Sequence, residues 1–229
     1  MNIQGFQKLT LLDFPGRTAC TVFTGGCNLR CPFCHNVALV LAPEEEPFPE
    51  EEIFSYLEKR RGLLDGVAVT GGEPLLQPDA ADFLRRVKDM GYLTKLDTNG
   101  FFPDALARIL SEGLADYVAI DIKHTKAGYA AACGLPRVDL DKVERSIALL
   151  KESGVEYEFR TTVAGGLHTV ADIEEICRWL QGAKRYCLQA FKDSGILKEG
   201  SCTPLPEETL FAMRDLARRY FPSVELRGI

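Results

Sequence analysis

Six short apolar runs, each followed by a stretch of helical periodicity, leave this chain few ways to fold. The runs span 19–24, 66–70, 92–97, 116–122, 156–163 and 184–190. The helical stretches span roughly 49–60, 78–90, 103–112, 139–153, 169–180 and 206–220. Pro103, Asp139 and Pro206 stand at helix starts, and Gly91, Gly113 and Gly154 stand where helices should stop. Strand–helix repetition of this kind implies parallel strands joined by right-handed crossovers. A closed or nearly closed α/β barrel and an open doubly wound sheet both fit. In either, the C-terminal ends of the strands carry the site. The 229 residues suffice for one domain, 1–229, with no internal repeat. Two surface loops interrupt the pattern, an acidic proline-rich one at 42–49, a candidate for partner contact, and a Gly/Pro-bearing one at 196–206.

Composition narrows the function. A net charge of −6 argues against nucleic acid as a partner, because phosphate binding requires clustered Lys and Arg. No apolar stretch approaches a membrane span, and Met1 to Thr10 lacks the features of an export signal. A cytoplasmic location is therefore expected, with its thiols reduced, so that eight cysteines point to metal or redox chemistry before disulfides.

Three of those cysteines, Cys27, Cys31 and Cys34, fall within the loop 25–36 that follows the first apolar run and Gly25-Gly26. Their spacing is C-x3-C-x2-C. Three thiolates can hold a metal centre but are one short of a closed structural site, and an open position marks chemistry at the metal. Other readings compete. Cys31 to His35 matches the C-x-x-C-H of covalent haem attachment, which normally follows export. A thioredoxin-like pair would leave Cys27 without a task. Zinc would need His35, whose adjacency to Cys34 makes tetrahedral geometry awkward. An iron–sulfur cluster with one iron open to an exogenous ligand uses every residue. Cys20, Cys133, Cys177, Cys187 and Cys202 lack ligand spacing and are expected to be small buried hydrophobes.

Polar residues gather at the ends of other candidate strands. Gly71-Gly72-Glu73-Pro74 follows the second, where a turn is needed and where a carboxylate with nearby carbonyls could accept from an ammonium. Asp97 ends the third, on one face with Lys95, and begins Asp97-Thr98-Asn99-Gly100. Alternation places Asp121 with Lys123, and Glu158 with Arg160 and Thr162, away from the apolar neighbours of each strand. An ion pair at a sheet edge is the plain alternative for Asp121 and Lys123.

The cysteine loop resembles the signature of the radical S-adenosylmethionine (SAM) enzymes, and the resemblance implies a partial (β/α)6 TIM-like barrel. It further implies that Cys27, Cys31 and Cys34 hold a [4Fe-4S] cluster whose fourth iron binds SAM. Reductive cleavage of SAM then gives a 5′-deoxyadenosyl radical that abstracts hydrogen. By resemblance Phe33 packs near the adenine, and Gly71, Gly72 and Glu73 bind the SAM amino group. The chain is most similar to the glycyl-radical-enzyme activases, densest at Asp13 to Arg17, Cys27 to Asn36, Gly71 to Pro74, Asp97 to Gly100 and Asp121 to Lys123. That branch implies SAM contacts from Asn36, Asp97, Asp121, Lys123, Arg160 and Thr162, and a monovalent cation near Asp97 and Asp121. It implies a protein partner, a glycyl-radical enzyme of the anaerobic ribonucleotide reductase or pyruvate formate-lyase type, and an electron donor such as flavodoxin or ferredoxin. A small-molecule or peptide substrate, and a non-catalytic iron–sulfur or zinc protein, are the alternatives. No cysteine lies between Cys34 and Cys133, so one cluster is expected. Lys192 stands where a relative has a histidine near SAM.

Overall fold

The computed structural model describes residues 1–41, 46–192 and 202–229. In chain order its elements are Ile3–Thr10 (β1), Ala19–Thr24 (β2), Val37–Val40 (α1), Glu50–Glu58 (α2), Gly66–Gly71 (β3), a 3-10 turn at Pro74–Leu76, Ala80–Asp89 (α3), Leu93–Thr98 (β4), Pro103–Ser111 (α4), Tyr117–Asp121 (β5), Tyr129–Ala132 (α5), Leu140–Glu152 (α6), Glu156–Val163 (β6), Val170–Trp179 (α7), Arg185–Ala190 (β7), Glu207–Ala217 (α8) and Ser223–Arg227 (β8). The strands form one eight-stranded sheet in chain order, with β1 antiparallel to β2 and every later pair parallel.

Strand order decides between the two architectures. Each crossover from β2 to β8 moves to the next strand in the same direction. Crossovers of one hand that never reverse direction put all the helices on one face. A doubly wound sheet would reverse and place helices on both. The fold is therefore an α/β partial barrel, left open because β1 and β8 do not pair. The six expected strands are β2 to β7. Two further strands, β1 and β8, escaped the apolar-run criterion because each lies at an edge. Only Ile3 and Thr10 of β1 are buried, and no residue of β8 is. Edge strands have too little covered surface to need a continuous apolar run.

Alternation along the strands separates two interiors. Val22, Val69, Leu96, Val118, Ile120 and Phe159 point outward and join the main core under the helices. Against them pack amphipathic faces such as Phe83, Leu84 and Val87 of α3 and Val143, Ile147 and Leu150 of α6. Ala19 and Tyr117 point inward and are covered by Phe14 at the N-terminal end of the barrel. Asp13 accepts a hydrogen bond from the Thr21 hydroxyl (2.5 Å), fixing this plug. The Asp13 to Arg17 motif thus closes the end opposite the cysteine loop.

The two interrupting loops lie partly outside the described residues, at 42–45 and 196–201. Phe48 ties the end of the first to β1, its amide donating to the Ile3 carbonyl (2.6 Å) and its ring tilted on Phe6.

Candidate active site

All thirteen residues singled out for the cluster and SAM line one cavity of about 230 Å³ at the C-terminal ends of the strands. Backbone contact brings its first two walls together. The Gly25-Gly26 hinge after β2 lies against the Gly71-Gly72 turn after β3. Gly72 donates to the Thr24 carbonyl (2.8 Å) and Glu73 to the Gly26 carbonyl (2.9 Å). A Cβ on Gly72 would stand 2.0 Å from the Gly26 oxygen, and Gly71 has a φ of +117° with Thr24 backbone 2.4 Å from any Cβ. Only glycines allow this approach. Asn36, at the start of α1, donates its amide to the Gly71 carbonyl (3.1 Å), locking the cysteine loop to the turn.

The three thiols lie along one side. The Leu29 amide donates to Cys27 Sγ (3.4 Å), and Asn99 reaches the same sulfur (3.8 Å) while holding Asn28 (2.8 Å). Burial pushes the Cys27 thiol up to about 11 and raises Cys34. Cys31 is drawn down to about 7, first by a hydrogen bond from the Cys133 thiol and then by the Lys123 ammonium, against the effect of burial. Cys133 is buried, as expected, but is more than a small hydrophobe, since its carbonyl also accepts from the Arg30 amide (2.9 Å). Cys20, Cys177 and Cys187 are buried, and Cys202 is half-buried. Among the described residues no three His, Cys, Asp or Glu side chains converge on a single ion. Three thiols spread around one loop beside a cationic wall suit a polynuclear anionic cluster.

Glu73 is fully buried. Its carboxylate accepts from the Leu75 amide (3.0 Å), the Thr98 hydroxyl (2.7 Å) and the Asn99 amide (2.7 Å). Burial nevertheless pushes its carboxyl up to about 7, against those three donors.

The opposite wall is an ion-pair chain across β4, β5 and β6. Lys95 bonds Asp97 Oδ1, Arg160 donates to Asp97 Oδ2 (3.2 Å) and to Asp121 Oδ1 (2.6 Å), and Lys123 donates to Asp121 Oδ2 (3.1 Å). Every carboxylate oxygen of the two aspartates thus has a cationic partner. Burial disfavours the charge on Asp97, but Lys95 and then Arg160 outweigh it and hold its carboxyl below the usual range. Asp121 is lowered in the same way by Arg160 and Lys123. Lys123 is raised, Asp121 and Cys31 overcoming its burial. A monovalent cation is expected beside these aspartates, where the four oxygens already have Lys95, Arg160 and Lys123 as partners. Three fixed cations thus face two carboxylates, a surplus of one positive charge along this wall.

Other contributors carried little sequence signal. They surround Phe33, already singled out from the sequence, which is buried against Ala132, Ala164 and Phe191 and meets His168 edge-on at 6.1 Å. His168 stacks on His124 at 4.9 Å. His168 Nε2 donates to the Lys123 carbonyl (2.9 Å) while its Nδ1 accepts from the Ala164 amide (3.3 Å). His124 Nε2 donates to the Leu167 carbonyl (2.8 Å). The two rings therefore clamp the loops after β5 and β6 to each other. Gln189, Thr98 and Asn99 also line the cavity, whereas Lys192 is exposed. Only the alternation of β7 could have pointed to Gln189.

Comparisons with known proteins bear on this geometry. Residues 21–180 match the Radical SAM superfamily. A Methanocaldococcus jannaschii protein provisionally named a glycyl-radical enzyme activating enzyme is 31% identical over 233 residues, 99% of this chain and 96% of its own. The pyruvate formate-lyase-activating enzyme of Clostridium pasteurianum is 31% identical over 185 residues, 78% of this chain and 74% of its own. A radical SAM methyltransferase of Sphaerobacter thermophilus superposes with a TM-score of 0.76 at 18% identity, covering 96% of this chain and 69% of that one, a likeness of fold.

Proposed function

The chain belongs to the radical SAM superfamily, and on that premise we propose that it activates a glycyl-radical enzyme. Membership implies a [4Fe-4S] cluster and SAM as cofactors. Cys27, Cys31 and Cys34 would hold the cluster. When bound, the cluster would supply the electron for reductive cleavage of SAM, the chemistry by which a glycine Cα hydrogen of the partner would be removed. The protein's share is orientation and exclusion of side reactions. Glu73 and the Gly71-Gly72 turn would receive the SAM ammonium, and Asn36 keeps that turn in place. Lys123 and Arg160, anchored by Asp97 and Asp121, would face the SAM carboxylate. Phe33 would border the adenine, and Thr162 also lines the cavity. No protein acid or base is required, because the transferred hydrogen leaves as an atom.

The observation that carries the activase reading is the near end-to-end similarity to the Methanocaldococcus protein, over 99% of this chain and 96% of that one. A single cysteine cluster motif and a cavity open at the barrel end suit a partner loop inserted from outside. The electron would come from a flavodoxin or ferredoxin. Anaerobic incubation of the reconstituted protein with SAM, a reductant and an anaerobic ribonucleotide reductase or pyruvate formate-lyase should give the EPR doublet of a glycyl radical. SAM cleavage with no such doublet across these partners would leave the family standing and remove the activase assignment.

A further inference from the structure

Lys95 is the least expected charge in the molecule. It sits in the middle of β4 with 1% of its surface exposed, two residues before Asp97 and on the same inward face. A buried ammonium without a partner is costly enough that lysines there normally lose their proton or pair. Here it pairs with Asp97 Oδ1, with the Tyr117 ring 5.9 Å away. Asp97 itself is only 9% exposed. Its second oxygen and the near oxygen of Asp121 are bridged by Arg160, whose side chain is 19% exposed.

The arrangement is a closed row: lysine, aspartate, arginine, aspartate, lysine. It contains one more positive than negative charge, with Glu73 standing apart on the other wall. A surplus of one cation beside a cavity is a seat for one carboxylate. An added metal ion would double the surplus and compete for oxygens already engaged.

We propose that Lys95 is a built-in cation of this site, filling the position against Asp97 that a monovalent metal ion would otherwise take, so that this chain binds SAM without one. The inference rests on the reading of the cavity as the SAM site. Lys95 is a positioning residue, acting through Asp97 and Arg160 on the bound carboxylate. Its ammonium cannot exchange with solvent ions, so the charge balance at the site is independent of the salt present.

The test uses cluster-loaded wild type, Lys95→Met and Lys95→Arg at constant ionic strength in tetramethylammonium, sodium or potassium chloride. SAM affinity is measured by anaerobic calorimetry, and melting temperature is measured without SAM. Wild type and Lys95→Arg should each show an affinity that varies by less than twofold, and a melting temperature that does not vary, across the three salts. Lys95→Met should bind SAM at least tenfold more weakly in tetramethylammonium and recover most of that loss in sodium or potassium, which should also raise its melting temperature. A wild-type affinity or melting temperature that depends on sodium or potassium overturns the proposal, and so does a Lys95→Met protein indifferent to salt and unchanged in affinity. Should Lys95→Met fail to fold, the wild-type and Lys95→Arg arms still decide. Should no variant bind SAM in any salt, the SAM reading fails, and the melting arm alone judges whether Lys95 excludes a metal ion.

Discussion

Glu73 carries the strongest conflict of forces at the scale of one residue. Complete burial opposes its charge, three hydrogen-bond donors support it, and the outcome is a carboxyl pushed up to about 7. A cation bound beside it favours the ionised form, so binding and ionisation are linked. The raised value means that ionisation, and with it affinity for an ammonium, grows as pH rises toward 7. Between pH 5.5 and 7, below the range in which an α-amino group titrates, SAM affinity should rise about tenfold. Calorimetry in buffers of different ionisation enthalpy should show a proton released on binding at the acid end. Glu73→Gln should bind more weakly with a nearly flat profile; a flat wild-type profile would remove Glu73 from the ammonium site. Some residue-scale detail was legible before any coordinates. Gly-Gly-Glu-Pro announces a turn, but that Gly72 must lack a side chain because the Gly26 carbonyl lies 2.0 Å from where a Cβ would be depends on two turns 46 positions apart meeting.

Elements at the sheet edges do more than cover it. β8 contributes Arg227, which reaches across β7 to grip the fully buried Glu158 of β6 through two bonds, 2.7 and 2.8 Å, while the Tyr117 hydroxyl of β5 donates to the same carboxylate (3.0 Å). Removing one partner of such a pair leaves an uncompensated charge inside the barrel. Arg227→Ala should therefore destabilise the protein by about 3 kcal/mol in urea unfolding, near the lower end for buried pairs because Arg227 keeps some exposure. Adding Glu158→Gln to that variant should restore part of the loss. A change below 1 kcal/mol would mean that the pair is solvated in solution. Glu158, Arg160 and Thr162 could be assigned to one face by alternation alone. Their partner on β8 could not, because β8 has no apolar run to mark it as a strand.

The whole molecule couples the cavity to stability, since the walls come from the segment after β2, from β3 through β7 and from the turns after β3, β4 and β5. A ligand touching all of them binds the folded chain and not the unfolded one. SAM at one hundred times its dissociation constant should stabilise the cluster-loaded protein by about 2.7 kcal/mol, read as a shift in the urea midpoint. Cys27→Ala should show no SAM-dependent shift while retaining its circular dichroism spectrum. A shift that survives in that variant would place SAM away from the cysteine loop. Among the described residues no helix is long and apolar enough to cross a membrane.

Within the sequence itself lay the parallel strand–helix alternation, the three-thiol loop at a strand's end and the faces that carry Asp97, Asp121 and Arg160. All of these follow from spacing along one segment, where periods of 2 and 3.6 are fixed by backbone geometry. Tertiary structure alone decided that successive crossovers never reverse, which makes a barrel rather than a doubly wound sheet. It also decided that Lys95, Asp97, Arg160, Asp121 and Lys123 join into one row, and that Cys133 and the His124–His168 pair close in on the site. Those outcomes depend on which strands become neighbours and in what register, and register is set by packing across the sheet rather than by residues adjacent in the chain.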